Sequence, residues 1–360
     1  MNWPPKQTVR LLIVMTVYRS ADLAIECLRS LAPQIGDVPG TFVAICENGS
    51  GADEARRLRD AIEREGWTSW VGIREVDPNR GFTGGNNAIL EPALRWRDPP
   101  DLFLLLNTDT LVAPGMLATM VGFMGRRPEV GIAGPQLTWS DGRHQECCFR
   151  DPSIVGQFLR TAGTGLLDRL IPGQSTAKEL PHDEGPHDWK TFACAFIRRE
   201  VFEQAGLLDE GYFLYMDDPD LCWRARRAGW SIGHCNEATT VHLKGGSNDV
   251  PASVKARRRL PRFYYQSRAR YFAKRHGIVG LWLANLCWHA GRTISFARDI
   301  LQWRPWSVPN SAWRDIWTNA LRPWHAPHLP HPPLAEETED LATDGAAAQT
   351  CESPVGAAPN

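Results

Sequence analysis

Apolar and polar positions alternate in blocks along the first third of the chain. Short runs rich in Val, Ile, Leu and Phe are typical of strands buried on both faces of a sheet. Between them, apolar residues recur every three or four positions, as on one face of a helix. The predicted strands cover 11–17, 42–46, 70–76, 102–106 and 130–133, and the predicted helices cover 21–32, 53–65 and 86–96, with another starting at Pro114. Ser20 is the expected cap of the first helix. This alternation predicts an α/β fold with a mostly parallel sheet flanked by helices.

The pattern changes after the fifth strand. Residues 135–187 are rich in Gly, Pro, His and charge, which predicts a long insertion lying over a site. Strand-like segments return at 191–197, 212–215, 231–235 and 238–242. We therefore expect an α/β domain at 1–250 containing that insertion, a helical C-terminal extension at 251–324, and a disordered acidic, Pro- and Ala-rich tail at 325–360.

The net charge of −1 conceals a segregation of charge. From Pro251 to Arg298 there are eleven Lys or Arg and no acid, whereas the chain from His325 onward has six acids and no Lys or Arg. The basic block adjoins Phe263, Tyr264 and Tyr265, and seven of the fifteen tryptophans lie between Trp282 and Trp324. Basic and interfacial aromatic residues together predict docking on an anionic membrane surface. The alternative is that these aromatics form the core of a helical subdomain; no nucleic-acid motif is present, so we expect no nucleic-acid partner.

The nine cysteines include no CxxC pair, which favours a reducing compartment. The first ten residues do not resemble a signal peptide, and no run of eighteen apolar residues occurs. We expect a cytoplasmic protein that associates peripherally with the inner face of the plasma membrane.

Three carboxylates, Asp217, Asp218 and Asp220, lie within four residues at a predicted strand-to-helix corner. Pro219 suits the first helical position, with Asp218 as the N-cap. Such acids could serve only as cap and first-turn charges. Alternatively, a carboxylate at this corner points out of the fold, towards whatever lies beyond the sheet.

Polar loops follow four predicted strands. They are Thr16–Arg19, Glu47–Gly51, Asn79–Asn87 and Asn107–Thr110. Ligands of open α/β sheets bind beyond the carboxyl ends of the strands, although Asn and Gly also serve turns. The glycine loop is neither G-x-G-x-x-G nor a P-loop, which disfavours a nucleotide-cofactor oxidoreductase. It predicts close backbone approach to a ligand, with Arg80 available to an anionic or planar group.

Asp109 follows a buried strand directly, and His242 ends the predicted strand 238–242. A carboxylate and an imidazole there could hold Mn²⁺ or Mg²⁺ beside diphosphate oxygens. The competing interpretations are a turn residue for Asp109 and an ordinary surface residue for His242.

The ordered motifs T-V-Y, E-N-G-S, N-R-G-F-x-G-G-N-N, L-L-N-T-D-T, F-x-Y-M-D-D-x-D-L-x-W-R and V-H-x-x-G-x-S resemble those of the family-two glycosyltransferases. The similarity spans roughly Val9 to Arg275 and favours the rhamnosyltransferase-like branch that acts on bacterial surface polysaccharides. It implies a GT-A fold, a nucleotide-diphosphate sugar donor, a divalent cation and inversion at the anomeric carbon.

The resemblance also assigns roles to residues. Asn107-Thr-Asp109 stands at the family's D-x-D, so Asp109 would be its acidic metal ligand and His242 would complete the site. Asp218 stands at the catalytic base, with Asp217 and Asp220 orienting the acceptor or raising the pKa of the base. The residues expected to contact the donor are Thr16, Tyr18, Glu47, Asn48, Arg80, Gly81, Gly85, Asn86 and Asn107. Glu47 replaces the usual nucleoside-contacting Asp.

The sequence thus predicts a metal-dependent inverting glycosyltransferase. It would move a sugar, with rhamnose as the first candidate, to a hydroxyl of a cell-surface glycan or lipid-linked acceptor. Because the first Asp of D-x-D is replaced by Asn107, the alternative is a catalytically silent protein of the same fold that binds sugar nucleotides or polysaccharide.

Overall fold

A computed structural model describes residues 3–171, 187–243, 256–301 and 309–325. All of them belong to one compact unit. Of the predicted tail 325–360, only His325 is among the described residues, and the segments 172–186, 244–255 and 302–308 also lie outside them.

The elements alternate as the sequence predicts over the first 130 residues. The N-terminal half contains β1 (Leu11–Val17), α1 (Ala21–Leu31), β2 (Thr41–Asn48), α2 (Ala52–Arg64), β3 (Val71–Val76), α3 (Gly81–Ala93), β4 (Leu102–Leu106), β5 (Thr110–Val112), α4 (Met116–Arg126) and β6 (Val130–Thr138). The remainder contains β7 (His144–Gln145), β8 (Cys148–Phe149), α5 (Ile154–Ala162), α6 (Gly165–Leu170), β9 (Trp189–Lys190), β10 (Cys194–Arg198), α7 (Arg199–Ala205), α8 (Asp217–Arg227), β11 (Ser231–His242), α9 (Arg262–Leu301) and α10 (Ala312–Asp315).

Within the described residues, nine strands form one sheet in the order β3-β2-β1-β4-β10-β6-β11-β5, with β7 on β6. The strands β3, β2, β1 and β4 are parallel, as predicted. The insertion of β10 antiparallel between β4 and β6 makes the whole sheet mixed. The parallel half has its carboxyl ends at one edge, where the polar loops emerge.

Both faces of the sheet are covered, which explains the continuous apolar runs. Along β1, Leu11, Ile13 and Met15 face one core cluster with α1, α2 and α4, while Leu12 and Val14 face the other with α3 and α8. Successive side chains of a strand point to opposite faces, so a strand between two helical layers is apolar at every position.

Several local predictions are wrong. Helix α3 begins at Gly81, not near 86, so most of the glycine loop is its first turns. The segment 212–215 is irregular, and 231–242 is one strand containing a bulge. Ser20 makes no side-chain cap. Strand β6 continues to Thr138, and the predicted insertion therefore begins later.

Helix α9 changes direction at Gly277, whose φ is 70°. Its first half packs into a cluster with Tyr212, in which Ala269, Tyr271 and Phe272 are buried. This half is therefore part of the core that supports the irregular segment before α8, as the packed-subdomain alternative expected. Its second half packs on α5, where Gly291 lies against the Phe158 carbonyl.

Candidate active site

Asp109 and His242 meet where β5 and β11 pair. Thr110 is the register partner of His242, and the Leu243 N–H donates to the Asp109 carbonyl at 2.8 Å. Asp109 is buried, and its Oδ1 lies 3.5 Å from His242 Nε2. The sheet thus brings together two residues separated by more than 130 positions.

Gln145 of β7 orients the imidazole. Its Oε1 lies 3.1 Å from His242 Nδ1. An Nδ1–H donated to this amide oxygen leaves the Nε2 lone pair facing the Asp109 carboxylate. A carboxylate oxygen and an imidazole nitrogen at this separation suit a divalent cation such as Mn²⁺. The residues present therefore fit the predicted metal site, and nothing in the sequence singled out Gln145.

The acids near 217 follow two non-glycine residues in the left-handed region. Tyr215 has φ 69° and Met216 has φ 68°. Such residues are uncommon and concentrate at functional sites. Met216 is the N-cap of α8, without a side-chain cap bond, so the prediction that Asp218 caps this helix is wrong. The cap therefore does not account for the Asp218 carboxylate.

Both neighbouring carboxyls have raised pKa values. Burial raises the pKa of the Asp217 carboxyl to about 7. Its own backbone N–H lowers this pKa, and the charge of Asp220 raises it further. Burial and then the Asp217 charge raise the pKa of Asp218 well above its ordinary value, opposed by the N–H groups of Asp218 and Phe192. Asp217 is buried, whereas Asp218 is part-exposed and accessible to a substrate.

Asp220 has different surroundings. It is fully buried, where it accepts from the Tyr212 hydroxyl at 3.2 Å and from Arg224 Nε at 2.8 Å. Lys274 Nζ of α9 lies 2.9 Å from Asp220 Oδ1. These three partners give Asp220 a structural role that fixes α8 to α9.

Tyr215 connects the two groups of acids. Burial is the main cause that raises the pKa of the Tyr215 hydroxyl. Tyr264 and the charges of Asp217, Asp218 and Asp109 raise it further. Its ring meets Tyr264 of α9 edge to face at 5.7 Å. The charges of the predicted base and of the predicted metal ligand thus both act on this one side chain.

The glycine loop approaches the protein itself. A Cβ at Gly81, where φ is +71°, would overlap the Phe213 carbonyl, and one at Gly85 would overlap Thr16 Cγ2. The Phe82 N–H donates to that same Phe213 carbonyl at 2.8 Å. These glycines let α3 approach β1 and the segment that precedes Asp217 and Asp218. Arg80 pairs with Glu210 at 2.8 Å.

The remaining donor-site predictions fall into two groups. Asn48 donates to Asn79 Oδ1 at 3.0 Å and to the Gly81 carbonyl at 2.9 Å, and it accepts from the Arg80 N–H at 3.0 Å. It therefore fastens two loops together. Asn86 donates to the Phe82 carbonyl within α3.

The second group lies at the strand ends. Buried Glu47 accepts from the Ser50 N–H at 2.7 Å. The Asn107 N–H donates to the Ala193 carbonyl at 2.9 Å, which links β4 to β10. Thr16 and Tyr18 are part-exposed at the end of β1. The structure thus gathers Thr16, Tyr18, Glu47 and Asn107 at one edge.

One buried polar cluster was missed entirely. Lys190 Nζ lies 3.2 Å from Cys147 Sγ and 2.9 Å from His234 Nδ1, and all three residues are buried. A hydrogen bond from Cys148 lowers the pKa of Cys147 against burial, and Lys190 and His234 add to this effect. The sulfur atoms of Cys147 and Cys148 and a ring nitrogen of His234, which are atoms able to bind a metal ion, lie within 4.8 Å of one another. The Lys190 ammonium lies among them. No spacing rule detects it, because the three segments are remote in sequence.

A family model described as Glycosyltransferase like family 2 matches residues 8–261. The chain belongs to this family. Its relatives include the N-acetylglucosaminyl-diphospho-decaprenol L-rhamnosyltransferase of Mycobacterium tuberculosis, 31% identical over 196 residues, which are 54% of this chain and 60% of the relative. The low-salt glycan biosynthesis hexosyltransferase Agl10 of Haloferax volcanii is 26% identical over 64% of this chain and 66% of its own. The matches thus span about two thirds or less of these relatives.

Solved structures show the same fold. The mannosyltransferase PcManGT from Pyrobaculum calidifontis, in complex with GDP-Man and Mn²⁺, superposes with a TM-score of 0.50 at 15% identity, over 89% of this chain and 86% of that one. S. aureus TarS 1-349 in complex with UDP also gives 0.50, at 12% identity over 88% and 80%. The family-two chain has the predicted GT-A fold with a C-terminal helix.

Proposed function

We propose that this family-two protein transfers a sugar, with inversion, from a nucleotide diphosphate to an acceptor hydroxyl. The observation that carries the proposal is the buried Asp109 carboxylate, which lies 3.5 Å from the His242 imidazole that Gln145 orients. A carboxylate with a raised pKa beside a cation site supplies the two functions that direct displacement needs. Rhamnosyl- and hexosyltransferases among the relatives support sugar transfer.

Asp109 and His242 would hold the divalent cation, with Gln145 setting the imidazole tautomer. Such a cation, when bound, neutralises charge on the diphosphate oxygens of a donor. The solved relative with GDP-Man and Mn²⁺ supports a cation of this kind. Thr16, Tyr18, Glu47 and Asn107 at the adjoining strand ends would contact the nucleotide.

Asp218 is the proposed base. Its carboxylate would take the proton from the acceptor hydroxyl while that oxygen forms its bond to the anomeric carbon. The bond from the anomeric carbon to the diphosphate breaks on the opposite face, so one displacement inverts the configuration. Asp217 would keep the pKa of Asp218 high enough for a base that works near neutral pH.

One of the relatives supports a particular acceptor and sugar. We propose a lipid-linked glycan acceptor and a deoxyhexose such as rhamnose, because the mycobacterial relative is a rhamnosyltransferase for a diphospho-decaprenol acceptor. The thermal-shift comparison of nucleoside diphosphates described below identifies the nucleobase of the donor.

The first test compares Asp218→Asn with Asp220→Asn. Asp218→Asn should lower transfer from dTDP-rhamnose to a synthetic N-acetylglucosaminyl diphospholipid by about 10²–10⁴-fold, the usual contribution of a general base. Its thermal stability should be equal to or higher than that of the wild type, since Asp218 is not the cap and burial raises its pKa. Asp220→Asn should instead lower the melting temperature, because Arg224 and Lys274 lose their buried partner. An Asp218→Asn protein with full activity would exclude Asp218 as the base.

The second test measures donor binding alone. Thermal shifts with UDP, dTDP, GDP and NAD, each with and without Mn²⁺, report ligands that bind the folded state. One nucleoside diphosphate that stabilises only with Mn²⁺ would support the donor site. Such binding without transfer to any acceptor would favour a catalytically silent protein. Stabilisation by NAD alone would refute the proposal.

A further inference from the structure

The second half of α9 exposes large apolar side chains and buries polar ones. Its buried face contains Asn285, Ser295 and Asp299 beside apolar residues such as Leu281 and Trp288. Its outer face is formed by large apolar side chains, of which Val279, Leu286 and Leu301 are 68%, 55% and 80% exposed. A surface helix normally shows the opposite arrangement, with its apolar stripe against the core.

The charged residues of this half turn inward as well. Arg292 and Arg298 both lie against the buried Asp299, at 3.5 and 2.8 Å. Arg298 also donates to the carbonyls of Ala162 and Gly163 at the end of α5. The outer face from 278 to 301 therefore presents apolar residues and no exposed Asp, Glu, Lys or Arg.

The segment 312–324 extends this surface. It is tied to α9 by the Trp282 indole N–H, which donates to the Ala320 carbonyl at 2.9 Å, and by the Trp317 indole N–H, which lies 3.0 Å from His289 Nε2. Thirteen of the fifteen exposed large hydrophobic side chains within the described residues lie between 278 and 324. We call these thirteen the apolar face: Ile278, Val279, Trp282, Leu283, Leu286, Ile294, Phe296, Ile300, Leu301, Trp313, Trp317, Leu321 and Trp324.

Within the described residues 256–301 and 309–325, the exposed charge has one sign. Between 256 and 325 the sequence contains two acids, Asp299 and Asp315, and both are buried. Arg257, Arg258 and Arg262 are exposed at the start of the same region. Trp side chains with Arg at the rim are the composition of elements that lie in a bilayer interface. No described helix is long and apolar enough to cross a membrane.

We infer that the apolar face docks on an anionic lipid bilayer. The second half of α9 lies parallel to the membrane plane, and the exposed arginines contact lipid phosphates. The first half of α9 meets Tyr215 through Tyr264, so the docked region adjoins the proposed catalytic acids. The inference deepens the proposed function by placing this site at the surface where a lipid-linked acceptor resides.

Vesicle co-sedimentation of the full chain tests this docking without donor or acceptor. The wild type should pellet with vesicles of phosphatidylcholine mixed with phosphatidylglycerol and less with phosphatidylcholine alone. Leu283→Glu with Leu286→Glu should lower the partition coefficient by about tenfold or more for each leucine. Arg258→Gln with Arg262→Gln should lower binding to the anionic vesicles by about fivefold for each arginine.

Leu170→Glu is the matched control, since Leu170 is 68% exposed on α6, outside the apolar face. It should bind vesicles as the wild type does. Wild-type protein that ignores both vesicle types, or a double leucine variant that binds equally well, would overturn the inference. A wild-type dimer that the leucine variant converts to a monomer, without vesicle binding, would instead identify the face as a contact between copies. Asp218→Asn should still bind vesicles, so loss of docking and loss of transfer are distinguishable.

Discussion

Asp217→Asn should make the protein more stable near neutral pH while impairing its function. Asp217 is buried beside Asp218, and burial raises its pKa from 3.8 to about 7. The unfolded chain has a carboxyl pKa of about 3.9. The folded protein therefore keeps a proton that the unfolded chain releases between these two values.

The size of the effect follows from the two pKa values. Each pH unit between them lowers the free energy of unfolding by about 1.4 kcal/mol, or about 4 kcal/mol in all once pH exceeds the folded pKa. This contribution to stability is fully present below about pH 4 and is lost as pH rises through about 7. Asparagine mimics the protonated acid at every pH. The variant also removes the Asp217 charge, which lowers the pKa of Asp218. This change further increases the free energy of unfolding near neutral pH.

Thermal unfolding in EDTA without donor, at about pH 4.5 and about pH 8, measures this difference. The melting temperatures of wild type and Asp217→Asn should be similar at the lower pH, and the variant should be higher by several degrees at the upper pH. Asp60→Asn, at an exposed position of α2, removes a charge without relieving burial and should change little. An Asp217→Asn protein that is less stable than wild type at the upper pH would refute the reasoning.

Two further substitutions test the site's supports. Gln145→Leu should weaken Mn²⁺ affinity by about 10- to 100-fold, measured by titration of the wild type and variant, because it no longer holds the His242 tautomer; unchanged affinity would remove Gln145 from the site. Gly81→Ala should destabilise by at least about 1–2 kcal/mol, since φ is +71° and the new Cβ overlaps the Phe213 carbonyl. Gly125→Ala, in open space within α4, should be neutral or slightly stabilising, and equal effects of the two in denaturant unfolding would contradict the packing argument.

The sequence alone determined the α/β alternation and the edge of the sheet that holds the site. Residues of the parallel half depend on local rules: buried strands are apolar throughout, and the loops after them carry polar side chains and glycine. Because parallel strands share one carboxyl edge, the sequence predicts that Glu47 and Asn107 lie close together, and the parallel pairing of β1 with β2 and β4 agrees. Motif resemblance then assigned roles to Asp109, Asp218 and His242.

Local rules failed where long-range contacts decide the backbone. The segment 212–215 has an apolar strand pattern. However, its carbonyls accept hydrogen bonds from the Phe82 N–H and the Ser267 hydroxyl. Tyr215 and the following Met216 have left-handed backbone conformations. The glycine loop became helix because Gly81 permits close approach to Phe213, which lies 132 positions away. Propensity gives way to tertiary packing at such positions.

Only the tertiary structure distinguished Asp220 from its neighbours. Three acids within four residues have different surroundings. Their helix turns Asp220 towards Arg224 and Lys274 and leaves Asp218 part-exposed. The same applies to α9, whose sequence supports either a packed core or a membrane surface. The structure buries the first half of the helix in a core and exposes large apolar side chains along the second half, since burial depends on which partners the chain brings to each face. Composition therefore predicted the kinds of residues at the site, and packing decided which of them remain accessible for chemistry.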